Sequence, residues 1–380
     1  MSSPKTILIL NWTLRIGGVE RKIADLANYL AETGNPGGHK FYLILMERPP
    51  ANIAERAFFD QVAGSEIEIL YLPQTKVGRF NLEFPPSLFV LWHTLRLRPD
   101  VCFGFLRRLG MLAVVVKQLL FWREMKVVIG EDTYSSKSLA EEIPWRPFSN
   151  LVGSMMGWLF PKADLVISPS EAAKHDLVDT FKVPSRQISV LKNWISTPVA
   201  AQTSPKDYDV VFAGRLEPVK DVSFLIRALS ETAKSRPQLR ACIVGDGSQR
   251  AKLQHLAAEL NLADRVDFVG YRDDVGTFLS RGKVFCISST YEGLPMTVLE
   301  AMSHGLPTVA RNFAGAEELV VDDETGYVCE HVGEFSNRIL EILDNRCLRE
   351  RLGEQARRNV DRDHSRANIG RLLDLLTAKA

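Results

Sequence analysis

Two glutamates, Glu292 and Glu300, stand with seven residues between them across a point where a strand should end and a helix begin. The apolar run before them, Val284–Ile287, has the composition of a buried parallel strand. Gly293 and Pro295 break it, and Pro295 suits the first turn of a helix. That helix continues over Met296, Val298, Leu299 and Met302 until Gly305 stops it. A helix that opens at a strand's carboxyl end presents unpaired N–H groups and the positive end of its dipole, and both attract phosphate. A carboxylate cannot bind that phosphate, but it can hold hydroxyl groups. Glu292 in the loop and Glu300, about two turns inside an otherwise apolar helix, therefore suit the hydroxyl-bearing parts of a nucleotide-sugar. The alternative is a solvated loop glutamate and a second one reaching out of a surface helix, the usual fate of the residue type.

Other loops add to this chemistry. In Val211–Asp221 a strand ends at Gly214, and Arg215 and Lys220 project from the same loop. Two cations above a sheet's carboxyl edge suit a diphosphate, Arg as a bidentate fork and Lys as a point charge; a solvated basic loop is the other reading. Gly17-Gly18 opens a helix after the first strand, where the missing Cβ lets a ligand approach the backbone; an ordinary turn would look the same. Val244–Arg250, with Gly245 and Gly247, imitates a dinucleotide fingerprint, but Arg250 takes the last glycine position. It reads better as a Gly-rich strand-to-helix turn near a nucleotide. Val269–Arg272 closes a further strand and could offer backbone groups to a base. Glu131 and Asp132 follow the strand Val127–Ile129, where the sugar facing this domain would lie. Helix N-capping by Asp132, or plain exposure, is the alternative there.

The elements that must position these residues alternate between strand and helix. Ile7–Leu10, Phe41–Met46, Glu68–Leu72, Val101–Phe105, Val127–Ile129, Leu165–Ile167 and Pro184–Leu191 form a first set, with helices over 18–31 and 87–97. Asp209–Phe212, Arg240–Val244, Val266–Phe268, Val284–Ile287 and Pro307–Ala310 form a second, with helices over 223–234, 248–260 and after Pro295, a further apolar run at Val275–Leu279, and a helical tail from about Glu334. Such alternation predicts parallel sheets covered on both faces. The chain's 380 residues exceed one hydrophobic core. The expected organisation is a first domain over 1–196, a Ser/Thr/Pro/Ala-rich linker over 197–207, a second domain over 208–365 and a C-terminal helix over 366–380. Ligands of doubly wound sheets bind outside the strands' carboxyl ends, so two such domains facing across a cleft would hold two ligands there.

Apolar residues make up 46% of the chain and charged residues 24%, with a net charge of +1, which carries no nucleic-acid signature. The cysteines Cys102, Cys242, Cys286, Cys329 and Cys347 form no CxxC pair. That pattern speaks for a reducing compartment and against a disulfide framework or zinc site. The first residues lack the layout of a signal peptide. The longest apolar stretch, Leu109–Trp122, is broken by Lys117 and Gln118, so no spanning helix is expected. Cations at 96, 98, 107, 108, 117, 123 and 126 interleave with large apolar residues, and aromatic clusters follow at Trp145–Phe148 and Met155–Phe160. This mixture suits peripheral contact with an anionic membrane from the cytoplasmic side; a sheet-packing helix with a charged outer face would also produce it.

Taken together, the αβ pattern, Gly17-Gly18, Gly214-Arg215 with Lys220, and Glu292 to Glu300 resemble the retaining glycosyltransferases of family 4, glycosyl transferases group 1, which have the GT-B fold of two Rossmann-like domains. The likeness spans essentially the whole chain and is densest over 211–326. It implies an acceptor-binding first domain and a nucleotide-sugar-binding second domain. It also implies that Arg215, Lys220 and N–H groups near Met296, Thr297 and Val298 hold the donor diphosphate, that Glu300 holds the ribose and that Glu292 contacts the sugar. Gly17 and Gly18 would border the phosphates, Gly247 would lie at the donor, and neither metal nor other cofactor is implied. Many members carry a histidine where this chain has Glu131-Asp132; some that act on membrane-linked oligosaccharides carry a Ser-Glu pair, which Gly130-Glu131 partly echoes. The expected reaction moves a sugar from a nucleoside-diphosphate sugar to a hydroxyl of a lipid-linked or cell-envelope glycan. The rival readings are a nucleotide-sugar epimerase or a phosphorylase on the same architecture, and a non-catalytic nucleotide-sugar-binding protein.

Overall fold

The computed structural model describes residues 3–15, 17–48, 57–77, 80–83, 85–196 and 205–378. Its contacts divide the chain into two compact units, Met1–Leu191 with Ala367–Ala380, and Lys192–Arg366. Each unit is a parallel sheet with helices on both faces.

The first unit runs β1 (Thr6–Asn11), α1 (Gly18–Thr33), β2 (Lys40–Leu45), α2 (Ala57–Ala63), β3 (Ile67–Tyr71), an antiparallel hairpin β4 (Gln74–Val77) and β5 (Phe80–Glu83), α3 (Pro86–Leu97), β6 (Val101–Phe105), α4 (Leu106–Leu119), β7 (Lys126–Gly130), α5 (Ser135–Glu142), α6 (Arg146–Leu159), β8 (Leu165–Ser168), α7 (Glu171–Phe181) and β9 (Ile188–Val190). Its strand order is β3-β2-β1-β6-β7-β8-β9. All five residues of β6 are buried because helices cover both faces of the sheet.

The second unit runs β10 (Tyr208–Ala213), α8 (Val222–Ser235), β11 (Ala241–Val244), α9 (Arg250–Glu259), β12 (Val266–Gly270), α10 (Val275–Ser280), β13 (Gly282–Ile287), α11 (Met296–Ser303), β14 (Thr308–Arg311), β15 (Gly326–Cys329), α12 (Val332–Asp344) and α13 (Arg346–Asp363). Its order is β12-β11-β10-β13-β14-β15. In each unit the order reverses beside the first strand, so β1/β6 and β10/β13 are the topological switch points where ligands of such sheets bind.

Several expectations shift. The apolar run at 275–279 is a helix, α10. The hairpin β4–β5 and the strand β15 went unread, since their short polar or mixed sequences carry no clear period. The free thiols Cys102, Cys242, Cys286 and Cys329 are buried and Cys347 is exposed. Residues 192–196, expected to close the first domain, belong to the second unit. There the Ile195 N–H donates to the His364 carbonyl at 2.8 Å and Lys192 meets Asp363 at 3.2 Å. Most of the expected linker, 197–204, lies outside the described residues. The last helix, α14 (Ala367–Thr377), packs on α1 and β6. Its final carbonyls accept from Lys5 at Thr377 (2.6 Å) and from Lys126 at Leu375 (2.8 Å) and Ala378 (3.0 Å), cations matched to a helix C-terminus.

Behind α11 the backbone approaches α13 closely: a Cβ on Gly353 would stand 2.1 Å from the Gly305 carbonyl oxygen. Gly353→Ala should therefore cost about 1–3 kcal/mol. Gly333→Ala in α12, whose Cβ would meet nothing within 4 Å, should be neutral or slightly stabilising. Thermal unfolding of the two variants compares them, and equal melting temperatures would contradict the close approach.

Candidate active site

The switch point of the second unit gathers the predicted donor residues. β10 runs into Gly214, and a 3-10 turn, Pro218–Lys220, follows. β13 runs into the loop 288–295 that carries Glu292. Because β10 and β13 are neighbours, the two loops lie side by side and are tied together. The Ser288 hydroxyl donates to the Lys220 carbonyl (2.8 Å), and the Thr290 N–H donates to the Val219 carbonyl (2.8 Å). Between them the Lys220 ammonium donates to Glu292 Oε1 at 2.5 Å, and the Ser289 hydroxyl donates to the same oxygen at 2.6 Å. Both charged side chains are only 15% exposed. Lys220 is thus paired, not held as a lone cation, and its partner is the glutamate expected to contact the sugar.

Arg215 is exposed on the same loop. The Glu217 carboxylate beside it accepts from Ser248 N (3.1 Å) and Oγ (2.6 Å). These bonds hold its pKa below the ordinary glutamate value, and the charge of Arg215 adds to the effect. Glu217 thereby fastens the turn after β10 to the turn after β11. Gly245 ends β11 at φ 139°, where a Cβ would come within 1.9 Å of the Gly214 carbonyl oxygen; only glycine lets the two strand ends meet. Gly247 sits in the same turn, against the Leu216 carbonyl.

Pro295 stands at the N-cap of α11, not inside its first turn, and no side chain caps the helix. Met296 and Thr297 are half-buried at its opening, whereas the Val298 side chain is buried and its N–H donates to the Pro295 carbonyl at 3.2 Å. Glu300 is half-buried and is the fifth residue of α11, about one turn in, not two. His304 closes the helix with Nδ1 at 2.8 Å from the Glu300 carbonyl. Burial, with Lys206 and Arg357 nearby, lowers the His304 pKa to about 4, so the ring is neutral at physiological pH and its proton sits on Nδ1.

The first unit assembles a second cluster at the carboxyl ends of β1 and β7. Gly17 is the N-cap of α1 and Gly18 its first residue. A Cβ on Gly17 would overlap Glu20 Oε2, because the Glu20 side chain folds back over the helix opening. One turn further on, Lys22 meets Asp132 at 2.5 Å, with side chains 8% and 16% exposed. Asp132 does not cap α5, whose N-cap is Tyr134. Glu131 is 1% exposed; its Oε1 accepts from the Thr133 hydroxyl at 2.6 Å and its Oε2 has no hydrogen-bond partner. Burial pushes its pKa up to about 7, although Thr133 and the Arg107 charge pull the other way. Arg107 is itself buried against Ser138 and Glu142.

Some positioning residues escaped the sequence reading. Ser289 lies three residues before Glu292 and bonds to it locally, whereas Ser288 acts through the Lys220 carbonyl on the β10 loop, 68 residues away. Asn193 gave no signal: its side-chain N–H donates to the Leu294 carbonyl at 2.7 Å from 101 residues away. Among the described residues no three His, Cys, Asp or Glu side chains are placed to hold a metal ion.

The family model for Glycosyltransferase Family 4 matches residues 16–198, and that for Glycosyl transferases group 1 matches residues 198–359. The chain belongs to the group 1 glycosyltransferases. Among relatives of this family, it is 29% identical over 238 residues to a Campylobacter jejuni enzyme, N-acetylgalactosamine-N,N'-diacetylbacillosaminyl-diphospho-undecaprenol 4-alpha-N-acetylgalactosaminyltransferase, covering 61% of this chain and 63% of the relative. It is 34% identical over 362 residues to the Vi polysaccharide biosynthesis protein VipC/TviE of Salmonella typhi, covering 84% of this chain and 61% of the relative. The chain thus matches less than two thirds of the length of these relatives. The crystal structure of Anabaena HepE in complex with UDP-glucose superimposes with a TM-score of 0.76 at 20% identity, covering 98% of each chain. The family's GT-B fold is therefore the fold of this chain.

Glu131 makes stability depend on pH. Its folded pKa of about 7 lies above the ordinary value of 4.5, so the folded state binds the proton more tightly than the unfolded chain does. The stabilisation is complete below the ordinary value and is lost as pH rises through about 7, roughly 3 kcal/mol in all. Glu131→Gln should melt higher than the parent near pH 8, with the gap closing toward pH 5. Parallel melting curves across that range would contradict a buried ionisable carboxyl.

Proposed function

We propose that this chain is a retaining glycosyltransferase that moves a sugar from a nucleoside-diphosphate sugar to a hydroxyl of a lipid-linked or cell-envelope glycan. The observation that carries the reading is the Lys220–Glu292 pair at the β10/β13 switch point, beside the opening of α11. A diphosphate there can take Lys220 from Glu292, and the released carboxylate can take a sugar hydroxyl. Arg215 and the N–H groups of Met296 and Thr297 add positive potential on the same side, while Glu300 is assigned to the ribose.

In the reaction the bond between the anomeric carbon and the phosphate oxygen breaks, and the acceptor oxygen bonds to that carbon from the same face. The acceptor proton passes to the departing phosphate oxygen, so no protein nucleophile is needed. Charge grows on the diphosphate as the bond breaks, and fixed cations aimed at it lower the barrier. These cations are side chains, so neither a metal nor another cofactor enters the proposal. Glu131 and Asp132 are assigned to the acceptor: Asp132 is held by Lys22, and Glu131, with a pKa near neutrality, can hold a hydroxyl in either protonation state. The Campylobacter jejuni relative, whose name gives a diphospho-undecaprenol-linked acceptor, supports an acceptor presented at a membrane, and the chain is assigned to the cytoplasmic face in peripheral contact.

Lys220→Ala and Arg215→Ala should each lower the rate of nucleoside-diphosphate release in the presence of acceptor by about 10²–10³-fold. Product NMR should show the donor's anomeric configuration, and chelators should leave the rate unchanged. Transfer at the parent rate by either variant would remove the leaving-group assignment, and an inverted product would remove the same-face route.

A further inference from the structure

Large apolar side chains stand exposed mainly between Leu88 and Trp158; among the described residues outside that span only Trp12, Tyr271 and Val321 do so. They sit on three helices that share one core against one face of the first sheet, with α3 packed on α4 and α4 on α6. On α3 the exposed set is Leu88, Trp92 and Leu95, spaced four and three residues apart. On α6 it is Phe148, Leu151, Met155 and Trp158, at the same helical spacing. The end of α4 contributes Val115 and Leu119, then Phe121 (82% exposed) and Trp122 (63%). Each helix is therefore apolar on its inner face, where it meets the sheet, and again along an outer stripe. A helix that only covers a sheet has no use for the second stripe.

The cations of this region divide in two. Arg107 pairs with Glu142, Lys117 with Asp164, and Lys126 with the carbonyls that end α14; these hold the unit together. Arg96, Arg98 and Arg146 are exposed. Arg96 lies over the Trp92 ring at 5.4 Å and Lys162 over the Trp158 ring at 3.1 Å. The exposed cations here, Arg96, Arg98, Arg108, Lys137 and Arg146, outnumber the exposed acids Asp100, Glu124 and Glu141, with Glu142 already paired. Trp beside Arg or Lys matches a bilayer's headgroup layer, where an amphipathic ring and a cation meet lipid phosphate. No helix among the described residues is long and apolar enough to cross a membrane, so the stripes can lie on a bilayer but not span it. A second copy is a poorer occupant, because a self-complementary interface would set these cations against their own copies.

We infer that the outer face of α3, α4 and α6 docks on an anionic lipid bilayer through its aromatic stripes and the Arg96, Arg98, Arg146 and Lys162 cations. Helices of such sheets run opposite to their strands, so the α6 N-terminus, with Trp145 and Phe148, lies at the carboxyl edge that carries Glu131 and Asp132. Docking by this face brings the acceptor cluster to the headgroup plane. The inference deepens the proposed function by naming the surface through which a lipid-linked acceptor would be met. Its test uses neither donor nor acceptor, so its failure is separate from failure of sugar transfer.

The experiment is flotation of the full chain with vesicles of phosphatidylglycerol and phosphatidylcholine in equal parts, against phosphatidylcholine alone. The parent should float with the anionic vesicles, stay behind with the neutral ones, and be released by high salt. Phe121→Ser/Trp122→Ser/Trp158→Ser and, separately, Arg96→Gln/Arg146→Gln/Lys162→Gln should each reduce the bound fraction at least about tenfold with unchanged melting temperature. Should a multiple variant not fold, quenching of the parent's tryptophan fluorescence by brominated anionic lipid reads the same contact. No flotation and no quenching, equal binding to both vesicle types, parent-like binding by both variants, or a parent dimer that the aromatic variant abolishes would each overturn the inference.

Discussion

The candidate site depends on one nearly dry ion pair, Lys220 with Glu292. Surface pairs contribute about 0–1 kcal/mol because water competes for both partners. Here each side chain is 15% exposed and Glu292 Oε1 also accepts from Ser289, so loss of either partner would leave a poorly solvated charge behind. The pair exists because the strand order places β10 beside β13. Two loops more than 70 residues apart then share one edge, and Ser288, Thr290 and Asn193 lock their backbones. The result is a cation and an anion held in position yet neutral as a pair. A diphosphate-linked sugar carries the complement of both: phosphate for the ammonium, and hydroxyl for the carboxylate. Binding can exchange partners with little rearrangement, which is the kind of preorganisation that lowers barriers.

The two units treat their acids in different ways. In the second, Glu292 is paired with a lysine, and Glu217 accepts hydrogen bonds from Ser248 that hold its pKa below the ordinary value. In the first, Asp132 has Lys22, but its neighbour Glu131 is buried with one oxygen unpartnered and rises toward neutrality. Adjacent carboxyls with divergent environments can divide roles, one tied to a lysine and the other able to donate as well as accept. Lys22 lies on α1, whose opening is Gly17-Gly18, so the glycine pair and the acidic pair are parts of one cluster.

Much of this was legible in the chain because its signals are local. Apolar runs mark the strands of both sheets except β15, and fully buried parallel strands are where such runs are least ambiguous in length. Arg215, Lys220 and Glu292 are conspicuous as charges in loops at strand ends, and Glu300 as a charge on an otherwise apolar helix. What stayed hidden was partnership. Nothing near Lys220 in sequence says that Glu292 neutralises it, and nothing near Asn193 says that it holds Leu294. Pairing separates the cations at 107, 117 and 126, which bind the first unit together, from those at 96 and 98, which face outward; in sequence they form one basic tract. Glu300 moved by a turn because Pro295 caps its helix, a boundary that composition fixes only to within a few residues.

The partner exchange at Lys220 is open to direct measurement by titrating UDP, GDP and ADP calorimetrically into the parent, Glu292→Gln and Lys220→Met chains. If Glu292 competes with a diphosphate for Lys220, removing its charge must tighten binding of the nucleoside diphosphate that the parent prefers, and removing the lysine must weaken it. Unchanged or weaker binding by Glu292→Gln, or parent-like binding by Lys220→Met, would show that the diphosphate does not bind at this pair.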